Sequence, residues 1–304
     1  MKIFTNEQVA AQLDIRSASE AIRVAYLDLQ RGAAAVQPRA RIGLKDVKFS
    51  AMCAMLESSQ IAASKLYTTI NGLFRFYIAL FSLTDGELLA MLEGDSVTGV
   101  RTAATTALAA QYLARPESRS LGLFGSGIQA RAHAEAFAQR EGLREVRIHS
   151  HDVGSAEALA GDLKRRFDLD ARVADAQDAA AADILVLATR ASEPVIRGEW
   201  LRPGALVVSI GATRPDQREI DDASLRLASS VVVDWTKQTP FETGDLLLPP
   251  RELIESVRMV DLSNVIGADE HRTPRATDIV IYKAVGIALQ DAAVAHLAYS
   301  RLVA

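Results

Sequence analysis

Short apolar runs, each closed by polar or helix-forming residues, dominate the middle of this 304-residue chain. Residues 121–124 (LGLF), 182–189 (ADILVLAT), 204–210 (GALVVSI) and 230–234 (SVVVD) are nearly continuous in apolar and β-branched side chains. Runs of that kind suit strands buried on both faces of a parallel sheet, where neither face needs polar positions. Residues 145–149 (EVRIH) make a further strand-like segment. Ala-rich and polar stretches of helical length separate these runs, so the middle of the chain reads as a doubly wound α/β domain.

The N-terminal third has a different rhythm. Ser17-x-x-Glu20 predicts a capping box that opens a helix, with Ala21, Ile22, Ala25 and Leu29 on one face and Gly32 at its end. Residues 75–92 predict a hairpin, its aromatic first strand joined to residues 88–92 by the turn Thr84-Asp85-Gly86-Glu87. Asp95 or Ser96 then caps a helix that runs through Arg101 to about Ala114 and stops before Pro116. Residues 279–302 read as one long amphipathic helix that packs back on this α+β module.

The first strand of the middle region carries the chemistry. Residues 121–136, LGLFGSGIQARAHAEA, run from an apolar strand through Gly125-Ser126-Gly127 into a helix that begins with Ile128 and Gln129. Gly125 permits a tight turn, Gly127 lets the backbone approach a pyrophosphate, and Ala130 allows close helix–strand packing. The helix start adds unpaired amides and a partial positive charge for the anion. The pattern predicts a bound NAD or NADP. At the end of the next strand, where a carboxylate would bind the ribose of NAD, stands Ser150, which favours NADP. His151 is read either as a phosphate contact or as a solvated loop residue, and Asp152 as the cap of a helix through Ser155. Thr189 and Gly211-Ala212-Thr213 close later strands at the edge where ligands bind in such sheets.

Composition narrows the function without choosing it. Hydrophobic residues make up 49% and charged residues 24%, an ordinary globular balance, and the net charge of -4 argues against nucleic acid as a partner. The single cysteine, Cys53, excludes an internal disulfide, suits a reducing compartment and reads as a buried thiol. We expect no metal site, since no His, Cys, Asp or Glu spacing resembles one. With no basic-then-apolar leader, and no apolar run near the roughly 20 residues of a membrane span, the expectation is a cytoplasmic protein away from membranes.

A nicotinamide enzyme also needs groups to hold its substrate. Arg101 stands in the first turns of its helix, where guanidinium and helix N-terminus act together on a carboxylate, and Thr102-Ala103-Ala104 beside it are small. Lys65 interrupts the apolar run 62–69 (AASKLYTT) and is read as pointing at a charge. Arg39 and Arg41, after Pro38, complete a possible cationic set.

Taken together, these residues resemble the ornithine cyclodeaminase/mu-crystallin family. The resemblance rests on RTAATTALAAQYLA (101–114), LGLFGSGIQARAH (121–133), the 182–189 and 210–221 segments, TGDLLL (243–248) and IYKAVGIALQD (281–291). RTAA ahead of GxGxQA, followed by a C-terminal KxxGxAxxD pattern, is its specific part. The resemblance implies a Rossmann-type parallel-sheet domain (115–277) and a discontinuous α+β substrate and dimerisation domain (1–114 completed by 278–304), assembled as a homodimer. It implies NAD(P) chemistry on a small carboxylate-bearing amino or imino acid, with Arg39, Lys65 and Arg101 at the carboxylate. Gly125, Ser126, Gly127, Ile128, Gln129, Ser150, His151, Thr189 and Thr102 would serve the cofactor, and Thr213 would orient a water or the substrate nitrogen.

Two positions depart from the cyclodeaminases in that family. An acidic residue shortly before Met52 is replaced by Ser50, and an aspartate of the loop after the fifth strand by Thr213. A buried ammonium without a counter-charge is costly, so a site lacking both carboxylates should bind ornithine poorly. The main expectation is therefore an imine reductase or amino-acid dehydrogenase. Ornithine cyclodeamination to proline and ammonia with NAD recycled is the rival, and a nucleotide-dependent small-ligand binding protein of mu-crystallin type the third reading.

Overall fold

A computed structural model of the chain describes residues 2–268 and 274–304. They divide into two compact units, one holding the residues through Leu108 together with Gly286–Ala304, the other Ala109–Val285.

The first unit is a mixed sheet with helices. Its strands are β1 (Lys2–Phe4), β2 (Ala34–Val36), β3 (Ala40–Leu44), β4 (Val47–Leu56), β5 (Ile61–Ile70), β6 (Leu73–Ser82) and β7 (Leu88–Glu93), and its early helices α1 (Asn6–Ala10) and α2 (Ile15–Arg31). The sheet runs β1-β7-β6-β5-β4-β2, with β3 also pairing β4. Pairing of β6 with β7 is antiparallel, as the hairpin pattern predicts. Period-two alternation sets the faces. Met52, Lys65 and Ile78 are neighbours across β4, β5 and β6, and all three are buried. The C-terminal helix, Ala288–Val303, packs on β4, β5 and α2. Helix α2 is capped by Asp14, whose carboxylate accepts from the Ser17 amide at 2.8 Å. The expected cap, Ser17, is instead the third residue of the helix, because the acidic side chain three residues upstream reaches the open amide first.

Helix α3 (Asp95–Leu113) carries the chain from the first unit into the second. The second unit contains β8 (Ser120–Phe124), α4 (Ile128–Ala138), β9 (Glu145–His149), α5 (Val153–Phe167), β10 (Asp170–Val173), α6 (Ala176–Ala180), β11 (Ile184–Leu187) and β12 (Leu206–Ser209). It continues with α7 (Asp222–Leu227), β13 (Ala228–Val233), α8 (Gly244–Leu247), α9 (Arg251–Ser256), β14 (Met259–Asp261), α10 (Leu262–Ile266) and β15 (Ile279–Lys283). Its eight strands lie in the order β10-β9-β8-β11-β12-β15-β13-β14 and every pairing is parallel. This is the doubly wound sheet the apolar runs predict. The direction of strand addition reverses between β8 and β11, which puts Gly125 and Thr189 at the switch point where such sheets bind ligands.

One element differs from expectation. Residues 279–302 are not a single helix: Ile279–Lys283 form β15, buried along its whole length between β12 and β13, and the helix begins only at Ala288. Ile-Val-Ile-Tyr is a β-branched and aromatic run that the centre of a sheet accepts more readily than a helix does. The expected boundary at residue 278 accordingly moves to Gly286, and the first boundary falls within α3 rather than at its end.

Candidate active site

In the first unit two cations pair with one carboxylate and a third lies near it. Lys65, on β5, is 3% exposed, and its Nζ donates to Asp291 Oδ1 at 2.8 Å and to Thr98 Oγ1 at 2.7 Å. Arg101, on α3, lies with Nε 3.4 Å from the same Asp291 oxygen and donates through Nη1 to Gln290 Oε1 at 2.8 Å. Arg39 donates through Nη2 to the Gly286 carbonyl at 2.8 Å and through Nε to Met52 Sδ at 3.2 Å. Thus the residues at 286–291 of the chain anchor side chains at 39, 65 and 101. Arg41, the neighbouring candidate, is on β3 across from Ser50.

Burial dominates the electrostatics of this cluster. It pushes the Lys65 ammonium down to about 8, with Arg101 and Arg39 adding to the fall and Asp291 opposing it. Burial would raise Asp291, but the charges of Lys65 and Arg101 overcome it and hold the carboxyl below the usual aspartate range. The Phe76 ring lies 4.5 Å from Lys65 Nζ and closes another side of the ammonium. Two guanidinium groups and an ammonium so placed can bind a carboxylate through charge-assisted hydrogen bonds, which burial strengthens.

The expected nucleotide turn lies in the second unit. Gly125 has φ +104°, and a Cβ there would stand 2.8 Å from the Ala188 carbonyl, so the position tolerates glycine alone. Its amide donates to the His149 carbonyl at 2.8 Å, which ties the turn to the end of β9. Gly127 is the N-cap of α4, no side chain caps the helix, and nothing lies within 4 Å of its Cβ direction. Ile128 beside it is exposed and Gln129 partly buried. The open amides and the empty space in front of them fit a pyrophosphate. Ser126 Oγ and Ser150 Oγ are 2.9 Å apart, joining the turn to the ribose-reading position. Asp152 caps α5, accepting from the Ser155 amide and hydroxyl at 2.9 and 2.6 Å, and the adjacent His151 is exposed. Arg131 of α4 donates to the Ser155 carbonyl at 3.1 Å, bringing a guanidinium to the start of α5. Thr102, by contrast, belongs to the first unit and gives its hydroxyl to the Thr98 carbonyl at 2.7 Å.

A buried network that sequence reasoning missed braces the loops after β11 and β12. Glu219 accepts from the Thr189 amide and hydroxyl, both at 2.7 Å, and from the amides of Gly211 and Ala212 at 2.8 and 3.1 Å. Asp245 accepts from the Glu219 and Ile220 amides at 2.7 and 3.0 Å and pairs with Lys283 Nζ at 2.9 Å. Ser209 Oγ accepts from Lys283 and lies 2.8 and 2.7 Å from Glu219 and Asp245. All four side chains are fully buried, and burial raises Glu219 above the usual glutamate range against the pull of Lys283. Thr213, on the braced loop, donates its amide to Gln217 Oε1 at 3.3 Å. The signal available in the sequence was a lysine ending the apolar run of β15, the same kind of interruption that singles out Lys65. Among the described residues no group of three or more His, Cys, Asp or Glu side chains could hold a metal ion, and no helix is long and apolar enough to cross a membrane.

The chain is similar to proteins of known activity and structure. It is 35% identical over 223 residues to a ketimine reductase mu-crystallin from Mus musculus, covering 73% of this chain and 68% of that one. It is 32% identical over 279 residues to a delta(1)-pyrroline-2-carboxylate reductase from Bacillus cereus (90% and 83% covered). Among solved structures, a probable ornithine cyclodeaminase from Bordetella pertussis is 40% identical at a TM-score of 0.94, covering 100% of this chain and 97% of that one. A Thermococcus litoralis delta(1)-pyrroline-2-carboxylate reductase, in complex with NADH and L-proline, is 27% identical at a TM-score of 0.92 (100% and 98% covered). The sequence profile that matches residues 1–304 is that of one family. This chain belongs to the ornithine cyclodeaminase/mu-crystallin family.

Proposed function

We propose that the protein is an NAD(P)H-dependent reductase of small α-imino acids, converting a C=N bond beside a carboxylate to the amino acid. The observation that carries this reading is the buried set of Lys65 and Arg101 on Asp291, with Arg39 beside it on the Gly286 carbonyl, in a chain that also bears the Gly125 turn. Relatives named as ketimine and pyrroline-2-carboxylate reductases support it. The balanced reaction consumes imino acid, NAD(P)H and one proton and yields amino acid and NAD(P)+. When bound, the dinucleotide supplies the hydride. Arg39 and Arg101 hold the substrate carboxylate and so fix the sp² carbon, a contribution through positioning. Lys65 donates to the carboxylate or the nitrogen and is a source of the proton, and Thr213 orients a water or the nitrogen.

Ser150 stands where a carboxylate would meet the ribose of NAD, the Asp152 carboxylate is turned to the α5 N-terminus, and Arg131 and His151 stand beside them. This supports NADPH as the preferred reductant. The outer face of the first unit's sheet carries Ile3, Met55 and Tyr77, 68%, 49% and 46% exposed, which supports a homodimer through that face.

The likeness to the Bordetella protein favours ornithine cyclodeamination as a second reading. Against it, Ser50 offers no charge to a distal ammonium. A screen of cyclic imines, keto acids with ammonia, and ornithine, with both nucleotides, separates the readings. We expect turnover of delta(1)-pyrroline-2-carboxylate, and loss of at least about a hundredfold in kcat/KM, near 3 kcal/mol, in Lys65→Ala and Arg101→Ala with nucleotide binding intact. Normal turnover in either variant defeats the assignment. Proline and ammonia from ornithine without net NADH change would install the rival, and binding without turnover would mark a ligand carrier.

A further inference from the structure

We propose that Asp291 is a positioning residue for the imine reduction, a shared carboxylate that aims Lys65 and Arg101 and holds Lys65 as an oriented ammonium. The inference rests on the reductase reading and extends it to a residue that touches no substrate.

Geometry makes the case. Asp291 is 1% exposed and stands in the first turn of the C-terminal helix, where the helix dipole favours a negative charge. Its Oδ1 is the common partner of Lys65 and Arg101. Lys65 has three hydrogens to give. One goes to Asp291 and one to Thr98, whose hydroxyl is itself fixed by donating to the Gly94 carbonyl at 2.7 Å. With the Phe76 ring on another side, the third hydrogen is left a single direction. Without Asp291 only Thr98 would hold the ammonium.

Charge makes the same point. The charged groups that face Lys65 are Asp291 from the C-terminal helix, Arg101 from α3 and Arg39 from the segment before β3. Two cations thus pair with one carboxylate, with Arg39 nearby, and its Oδ2 accepts no hydrogen bond among the described residues. Removing one partner of a buried ion pair leaves the other uncompensated. Lys65, the member able to release a proton at moderate pH, would answer by becoming neutral.

The test is the pH dependence of kcat/KM for delta(1)-pyrroline-2-carboxylate at saturating NADPH, in wild type, Asp291→Asn, Asp291→Glu and Lys65→Ala. In wild type the alkaline limb is expected near pH 8, where Lys65 loses its proton. Asp291→Asn should move that limb to lower pH by a unit or more and reduce kcat at least tenfold. Asp291→Glu should return the limb and recover part of kcat, and the nucleotide Kd from fluorescence titration should stay within twofold in both. A slower Asp291→Asn enzyme with an unmoved limb would mean a structural role only and overturn the inference. Should Asp291→Asn not fold, the Lys65 resonance of reductively 13C-methylated protein is titrated in wild type and Asp291→Ser, which also lacks the carboxylate. An identical midpoint then overturns it, and a displaced one supports it. Full turnover in Lys65→Ala would instead overturn the reductase reading, so the two failures are distinguishable.

Discussion

Gly286 shows how much a single missing side chain controls. It has φ +78°, and a Cβ there would fall 2.6 Å from Arg101 Nη2 and 2.7 Å from Cζ, while its carbonyl accepts from Arg39. The obstacle to a methyl group is thus the guanidinium itself rather than a wall of backbone. Gly286→Ala should displace Arg101, raise the KM for the imino acid about tenfold or more and leave the nucleotide Kd unchanged; steady-state kinetics and fluorescence titration check this. The backbone strain adds about 1 kcal/mol, visible as a lower Tm. Lys65 and Arg101 were legible as candidates because a charge inside an apolar run, or at a helix start, stands out. Asp291 was not. It follows an apolar stretch in what reads as an amphipathic helix, where an aspartate signals solvent, and only folding brings it against residues more than 180 positions away.

At the scale of elements, the two loops after β11 and β12 depend on one buried carboxylate. Glu219 gathers three backbone amides and a hydroxyl, and a glutamine in its place would turn an NH2 group toward donors. Unsatisfied buried donors cost on the order of 1–3 kcal/mol each. Glu219→Gln should therefore lower Tm by several degrees in calorimetry and weaken nucleotide binding, with the loop amides of Thr189 and Gly211 exchanging faster. The sign of the pH effect follows from burial. Because the folded carboxyl titrates above its unfolded value, Glu219 supports the fold most at low pH, and that support falls as pH rises through the raised value. Periodicity located β8, β9, β11, β12 and β13 well, since each is an apolar run with clear ends. It failed at β15, where a strand and the start of the helix after it form one mostly apolar stretch, broken by Lys283 and Gly286 alone. It also missed the short β10 and β14, which lie outside the marked apolar runs.

For the whole molecule, the open face of the mixed sheet makes the clearest prediction. Met55 pairs with Ala62, Ala62 with Phe81 and Leu66 with Tyr77, so an apolar band crosses β4, β5 and β6 on the side away from Lys65. Sedimentation should find a dimer, and Met55→Lys with Tyr77→Lys should give a monomer that still binds nucleotide; a wild-type monomer would remove the proposal. The overall α/β class was legible because parallel and antiparallel sheets carry different hydrophobic rhythms. The positions of the boundaries were not, because they are set by pairings distant in sequence.

That dependence on distant pairings reaches into biosynthesis. β15 enters between β12 and β13, and the helix that follows it lies on β4, β5 and α2. On the ribosome, neither sheet can be completed as its own strands emerge: one waits for a central strand translated after its neighbours, the other for the helix at residues 288–303. The nascent chain must therefore carry two unfinished cores until residues 279–303 have emerged.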